Sequence, residues 1–246
     1  MINIKQSIMS VGFGNKTLQQ INCNGVTIIN GRVIGNNSDY KEFDETKQLK
    51  VADMKRITIN SELAEVKLTG NCDSGEIIAD FHGNACIDGK ANLSITSDGG
   101  QVKVDLTHSG TSMVGELFLD VGVPQSVFES ITVNSKNNNI YVYETISANN
   151  IIINGKNGDI DVRGTFKKLT IDSKNGNIDV STKAVSDIEF DVITKNGNVD
   201  ISFSNIVKST ISADTKNGNV KNNPDMYGKY TASGSVTSKN GNVRIS

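Results

Sequence analysis

From Ile131 onward the chain alternates apolar and polar residues, and the alternation breaks at regular intervals on a short corner written Lys-Asn-Gly-Asn or nearly so. The corner lysines are Lys136, Lys156, Lys174, Lys195, Lys216 and Lys239. Three positions before each lysine stand Val133, Ile153, Ile171, Val192, Ala213 and Val236, and four after it stand Ile140, Ile160, Ile178, Val199, Val220 and Val243. Five before are Ile131, Ile151, Leu169, Phe190 and Ile211; six after are Val142, Val162, Val180, Ile201 and Ile245. Gly234 and Asn222 break these two columns. Polar residues fill the intervening positions, among them Asp161, Asp179 and Asp200 after the corner and Thr132, Thr170 and Ser212 before it. Strict alternation of mostly β-branched residues is the pattern of a half-buried strand. Each corner therefore joins two strands, and its Asn and Gly are the residues that accept the backbone angles of a tight turn.

A second corner follows each first one, marked by single apolar residues among polar ones: Ile146, Phe166, Val185 and Ile206. Each is predicted to point inward. A unit of two short strands cannot bury its apolar face alone and must stack on its neighbours. Asn-Gly between alternating strands is also a hairpin signal, so an antiparallel meander competes. A nearly constant step favours parallel stacking, because it sets like residues above one another about 4.8 Å apart. The prediction is an all-β fold, a right-handed parallel β-helix (β-solenoid) with rungs of about 20 residues.

Three stretches follow, in one continuous body. Residues 131–246 are predicted to form the regular solenoid. Residues 53–130 are predicted to be degenerate rungs with excursions, with Ile57, Ile59, Val66 and Leu68 around Glu62 and Leu93, Ile95, Val102 and Val104 around Asp98; Pro124 ends a strand. Residues 1–52 are read as an N-terminal cap followed by a polar loop or short helix, with a capping box from Asp39 to Glu42. Val243 and Ile245 occupy core columns of the last rung, which predicts an open edge and a symmetric homodimer through these two residues.

A formal charge of -2 offers no basic excess for nucleic acid. No run approaches a membrane span, and no signal-peptide pattern opens the chain, which predicts a cytoplasmic protein without membrane contact. Three cysteines without paired spacing and two histidines predict reduced thiols and neither metal nor cofactor. The lysine column is the sharpest candidate for binding. Toward the C-terminus the aspartate column gives way to Lys221 and Arg244, so Lys195, Lys216, Lys221, Lys239 and Arg244 form the candidate stripe for an acidic polysaccharide. The competing reading has each lysine solvated beside the aspartates, with Asn and Gly serving the turn. Enzymes built on β-helices need acidic clusters that break the repeat, whereas these aspartates follow it, so an enzyme is not expected.

The segments "TIINGR", "KRITIN", "DVGVPQSVF" and the KNGN series resemble the bacterial "putative adhesin" family of β-repeat proteins over Val26 to Ser246. That resemblance implies a β-solenoid, a cell-surface setting and no catalytic residues. The function expected is a noncatalytic binding or scaffolding module. A carbohydrate-binding adhesin for acidic glycans stands second and a carbohydrate-active enzyme third. Because no metal site is predicted, melting curves recorded with and without a chelator should coincide; a fall of several degrees with chelator would show a structural ion.

Overall fold

The computed structural model describes residues 41–73, 75–110 and 113–246, and, as backbone, strands at 6–13, 16–23, 26–29 and 32–36. Every regular element among them is a strand. The first four, β1 (Gln6–Phe13), β2 (Lys16–Cys23), β3 (Val26–Ile29) and β4 (Arg32–Asn36), make an antiparallel sheet. Asp39 of the expected capping box lies outside the described residues. Next come β5 (Lys41–Lys50), β6 (Arg56–Ser61), β7 (Glu65–Cys72), β8 (Glu76–Ile87), β9 (Ala91–Asp98), β10 (Gln101–His108) and β11 (Met113–Pro124). The regular region holds β12 (Val127–Ser135), β13 (Ile140–Val142), β14 (Ser147–Asn157), β15 (Ile160–Val162), β16 (Thr165–Asn175) and β17 (Ile178–Lys183). It ends with β18 (Ile188–Asn196), β19 (Val199–Asn217), β20 (Val220–Asn222), β21 (Gly228–Asn240) and β22 (Val243–Ile245).

Strands β5 to β22 close around one apolar core in a solenoid-like arrangement. Strands before a corner build one sheet and strands after it build the other. Ile131 stands beside Ile151, Ile151 beside Leu169, and Leu169 beside Phe190, all in parallel register. Across the corner Ile140, Ile160, Ile178 and Val199 stack likewise. These columns are buried, as alternation requires of the inward face. Parallel pairing wins over the meander because each chain segment returns to the same register after two corners. β19 passes from one sheet to the other at Asn205, whose φ is 68°.

The order of rungs departs from the order of the chain at both ends. β21 lies between β18 and the second half of β19, and β22 lies between the first half of β19 and β20. The last rung is thus inserted one place inward. Val243 and Ile245 are 1% and 0% exposed, so the open edge and the dimer contact expected through them have no surface there to form on. The outer rung is instead residues 208–222, where Val220 is 44% exposed. Its core positions are poorer in apolar side chains, and this explains the first broken column: Asn222 donates from Nδ2 to the Ile211 carbonyl at 2.8 Å, tying β20 to β19 across the end of the core. Gly234 breaks the other column because a Cβ there would come 1.8 Å from the Phe190 carbonyl oxygen. The opposite end repeats the device, with β6 between β10 and β12 and β7 between β11 and β13.

Three expectations are corrected. Asp98 is no solenoid corner: Gly99 and Gly100 both take positive φ, so β9 and β10 form a tight antiparallel hairpin. Residues 41–50 form strand β5, antiparallel to β8, where a loop or short helix was expected. Val185 is 59% exposed, and the neighbouring Ala184 fills its inward place. Ile146, Phe166 and Ile206 point inward as predicted.

Two substitutions test the columns. Ile178→Asp should place a charge between Ile160 and Val199 and cost about 4 kcal/mol or more. Ile245→Lys should do the same between Ile201 and Asn222, destabilising the fold without changing its association state. Chemical denaturation and light scattering measure both; a stable Ile245→Lys protein would contradict the inserted rung.

Candidate functional site

The repeated corner stacks into continuous rows of side chains. The Asn after each lysine donates from Nδ2 to the Oδ1 of its neighbour: Asn157 to Asn137 at 2.9 Å, Asn175 to Asn157 at 2.7 Å, and Asn196 to Asn175 at 2.6 Å. The row continues from Asn240 to Asn196 at 2.6 Å and from Asn217 to Asn240 at 2.7 Å, which follows the inserted rung. The last position of the corner forms a second row. Its side-chain oxygen accepts the next rung's backbone N–H, as in Asp159 to Asn139 at 2.9 Å and Asn177 to Asp159 at 2.7 Å. Between the rows the glycines touch backbone to backbone: a Cβ on Gly176 or Gly197 would lie 2.0 Å from the carbonyl oxygen of the glycine below. Asn, Gly and Asn thus each have a packing reason to repeat.

The lysines have none. Lys156, Lys174, Lys195, Lys239 and Lys216 follow one another along the corner in that spatial order, all exposed. Among the described residues they make no ion pair. The aspartates that were expected to solvate beside them lie in a different row on the other sheet: Asp161 pairs with Arg163 at 2.8 Å and Asp200 with Arg244 at 3.7 Å. Neighbouring lysine charges about 5 Å apart repel by about 1 kcal/mol in water. No ion pair among the described residues offsets that repulsion at Lys156, Lys174, Lys195, Lys239 or Lys216.

Beside the lysine row runs a groove of about 470 Å³. Lys136, Lys156 and Lys174 line it together with Asn60, Asn134, Asn154 and Asp172. Asn154 donates to Asn134 at 2.7 Å, Asn134 to Asn60 at 2.7 Å, and Asn60 to Asp105 at 2.6 Å, so amides are held in line for further hydrogen bonding. Glu62 takes the lysine's place at the end of the row and pairs with Lys136. The Lys136 hydrogen bond, then the His108 N–H, holds the Glu62 carboxyl below the usual range.

Of the residues singled out in sequence, Lys195, Lys239 and Lys216 stand side by side on adjacent rungs. Lys221 and Arg244 are neighbours on the other sheet, in line with Asp200. The groove lies at the opposite end of the lysine row from this stripe. Sequence reasoning missed Asn60, Asn134 and Asn154 because the column breaks down at Ile193 and Thr237, whereas the first three members, two residues before their corners, were available as a signal. It also missed a partner for His82, which β8–β11 pairing brings within 3.2 Å of Asp120 and stacks on Phe118 at 5.3 Å.

An all-β solenoid-like repeat protein with a polar groove along one corner is the class these features define. The chain belongs to the Toastrack DUF4097 family, whose model matches residues 54–246. No curated protein matches it. Among solved structures, a "putative cell adhesion protein" from Clostridium sporogenes shares 12% identity over 83% of this chain and 99% of its own, at a TM-score of 0.52. A "putative adhesin" from Bacteroides fragilis shares 13% identity over 83% and 97%, at 0.41. A "putative lipid binding protein" from Parabacteroides distasonis shares 13% over 81% and 96%, at 0.33. At these identities the first likeness shows the fold, and the other two scores are too low to carry an argument. The family resemblance read from the sequence motifs is borne out.

Two shifted carboxyls, Asp179 in the acidic row and Glu62 beside Lys136, yield predictions of opposite sign. Burial, then Asp161 and Asp200, pushes the Asp179 carboxyl up, against Arg163. A raised folded pKa gives stability that is present at low pH and lost as pH rises through that pKa. Asp179→Asn should therefore raise the melting temperature at neutral pH, with the gain shrinking in acid and in high salt. Glu62 behaves oppositely: its depressed pKa gives stability present above the usual carboxylate range and lost as pH falls through the folded value. Glu62→Gln should melt lower at neutral pH and converge with the natural protein in acid. Melting curves across pH check both signs.

Proposed function

We propose that this protein is a noncatalytic binding module of the adhesin kind, and that the corner groove takes an extended acidic polysaccharide. One observation carries the reading: a row of exposed lysines, of which Lys136 is paired with Glu62 and those from Lys156 onward make no ion pair among the described residues, runs beside a groove whose wall is a hydrogen-bonded line of amides. A linear polyanion would pair with Lys156 and Lys174, while its hydroxyls would meet Asn60, Asn134 and Asn154. The rungs are taken as a right-handed coil of about 20 residues each, which sets binding groups about 4.8 Å apart along the axis. A spacing of that kind suits a repeating ligand better than a compact one. The lysines beyond the groove, Lys195, Lys239 and Lys216, extend the same track toward the outer rung. A cell-surface setting accords with such a ligand.

The test is a binding titration with polygalacturonate, with neutral dextran as control. The expected result is binding to polygalacturonate that weakens steeply with salt and falls about tenfold in a Lys156→Gln, Lys174→Gln double variant. Glu62→Gln, which releases Lys136, should tighten it. Equal binding of dextran, or a double variant that binds polygalacturonate like the natural protein, would overturn the reading.

A further inference from the structure

On the other sheet, away from the lysine row, four outward side chains from two adjacent rungs make a square. Tyr141 and Tyr143 come from the rung of β13, and Asp161 and Arg163 from the rung of β15, with Tyr141 in register beside Asp161. They surround a cavity of about 190 Å³ floored by the buried Val142. We propose that this square is a binding subsite for a single neutral sugar ring.

The polar half of the square is held in place before any ligand arrives. Arg163 donates from Nε to Asp161 Oδ1 at 3.1 Å and from Nη2 to Oδ2 at 2.8 Å, a two-pronged pair that locks both side chains. A carboxylate has about four acceptor sites and this pair uses two, so acceptors remain for a ligand's hydroxyls. The guanidinium likewise keeps N–H groups beyond those spent on Asp161. Donors and acceptors that are both fixed and only partly used are what adjacent sugar hydroxyls need.

The apolar half is aromatic. Tyr141 and Tyr143 are both half-buried, offering ring surface to the C–H faces of a sugar and a phenol oxygen at the rim. Asn139 donates to the Tyr141 hydroxyl at 3.3 Å, which fixes that ring. Charge selects the class of ligand. Asp161 neutralises Arg163, and Glu144 and Asp179 add negative charge around it, so an anionic ligand is disfavoured where a neutral one is not. Size narrows it further, since the cavity is smaller than the roughly 300–1,000 Å³ of a site for a drug-sized molecule. This subsite shares no residue with the corner groove, and either can fail without the other.

Saturation-transfer NMR on the full chain, with methyl glycosides of glucose, galactose, mannose and N-acetylglucosamine and with methyl glucuronide as the charged control, tests it. The expected result is saturation of at least one neutral glycoside and none of the glucuronide. Binding should fall about tenfold in Tyr143→Ala and in Arg163→Gln, persist in Tyr143→Phe, and be unchanged in the Lys156→Gln, Lys174→Gln double variant. Melting curves establish that the variants are folded. The proposal is overturned if none of the four neutral glycosides is saturated, if the glucuronide binds as well as they do, or if folded Tyr143→Ala and Arg163→Gln bind like the natural protein.

Discussion

Backbone packs directly on backbone at the corner, and the rest of the structure depends on that contact. Gly197 sits so near the Gly176 carbonyl oxygen that no side chain could stand between them. That contact brings Asn196 within 2.6 Å of Asn175, and the Asn198 N–H within 3.0 Å of the Asn177 side-chain oxygen. Each hydrogen bond is worth about 1 kcal/mol on its own. Repeated along two rows, they fix the register of the rungs that carry the corner, and a one-residue slip would expose each apolar column. With the register fixed, Ile178 meets Ile160 and Val199, and the core follows.

A stack of identical rungs has no natural end, and the chain supplies one by changing the order of its last rungs. The apolar terminal rung goes inside and the more polar preceding rung goes outside. Lys221 and Asn222 then occupy the edge, where a charge and a polar group oppose pairing with another sheet. Asn222 reaches across to Ile211 and covers part of the core's mouth. At the other end β6 and β7 are enclosed in the same manner, and the antiparallel strands β5, β8 and β9 cover the rung beyond them.

Charge is sorted by row. One corner carries lysines, and the face of the second sheet carries Asp161, Asp179 and Asp200 with Arg163 and Arg244. A net charge of -2 conceals this separation. Because rows run along the stack, several outward positions become lines of similar groups, as at the lysine, asparagine and aspartate rows. The groove beside Lys156 and the aromatic square at Tyr141 use the same scaffold for different chemistry.

The sequence by itself determined the strands, their inward columns and the corners, because alternation and the Asn-Gly pairs are local signals. It also carried the family resemblance, since those signals recur at matching places. Tertiary structure alone decided which rung lies beside which. Val243 and Ile245 look terminal along the chain, yet they fit between Val199 and Val220 as well as any rung fits its neighbours, so local pattern cannot rank the two orders. Hairpin and corner were likewise undecided at Asp98, where two glycines settled the turn only through their conformation. The candidate sites divide in the same way. The lysine row was legible in the repeat, but whether an aspartate stood beside it depended on which sheet each row faced, and Tyr143 beside Arg163 required two rungs to stack.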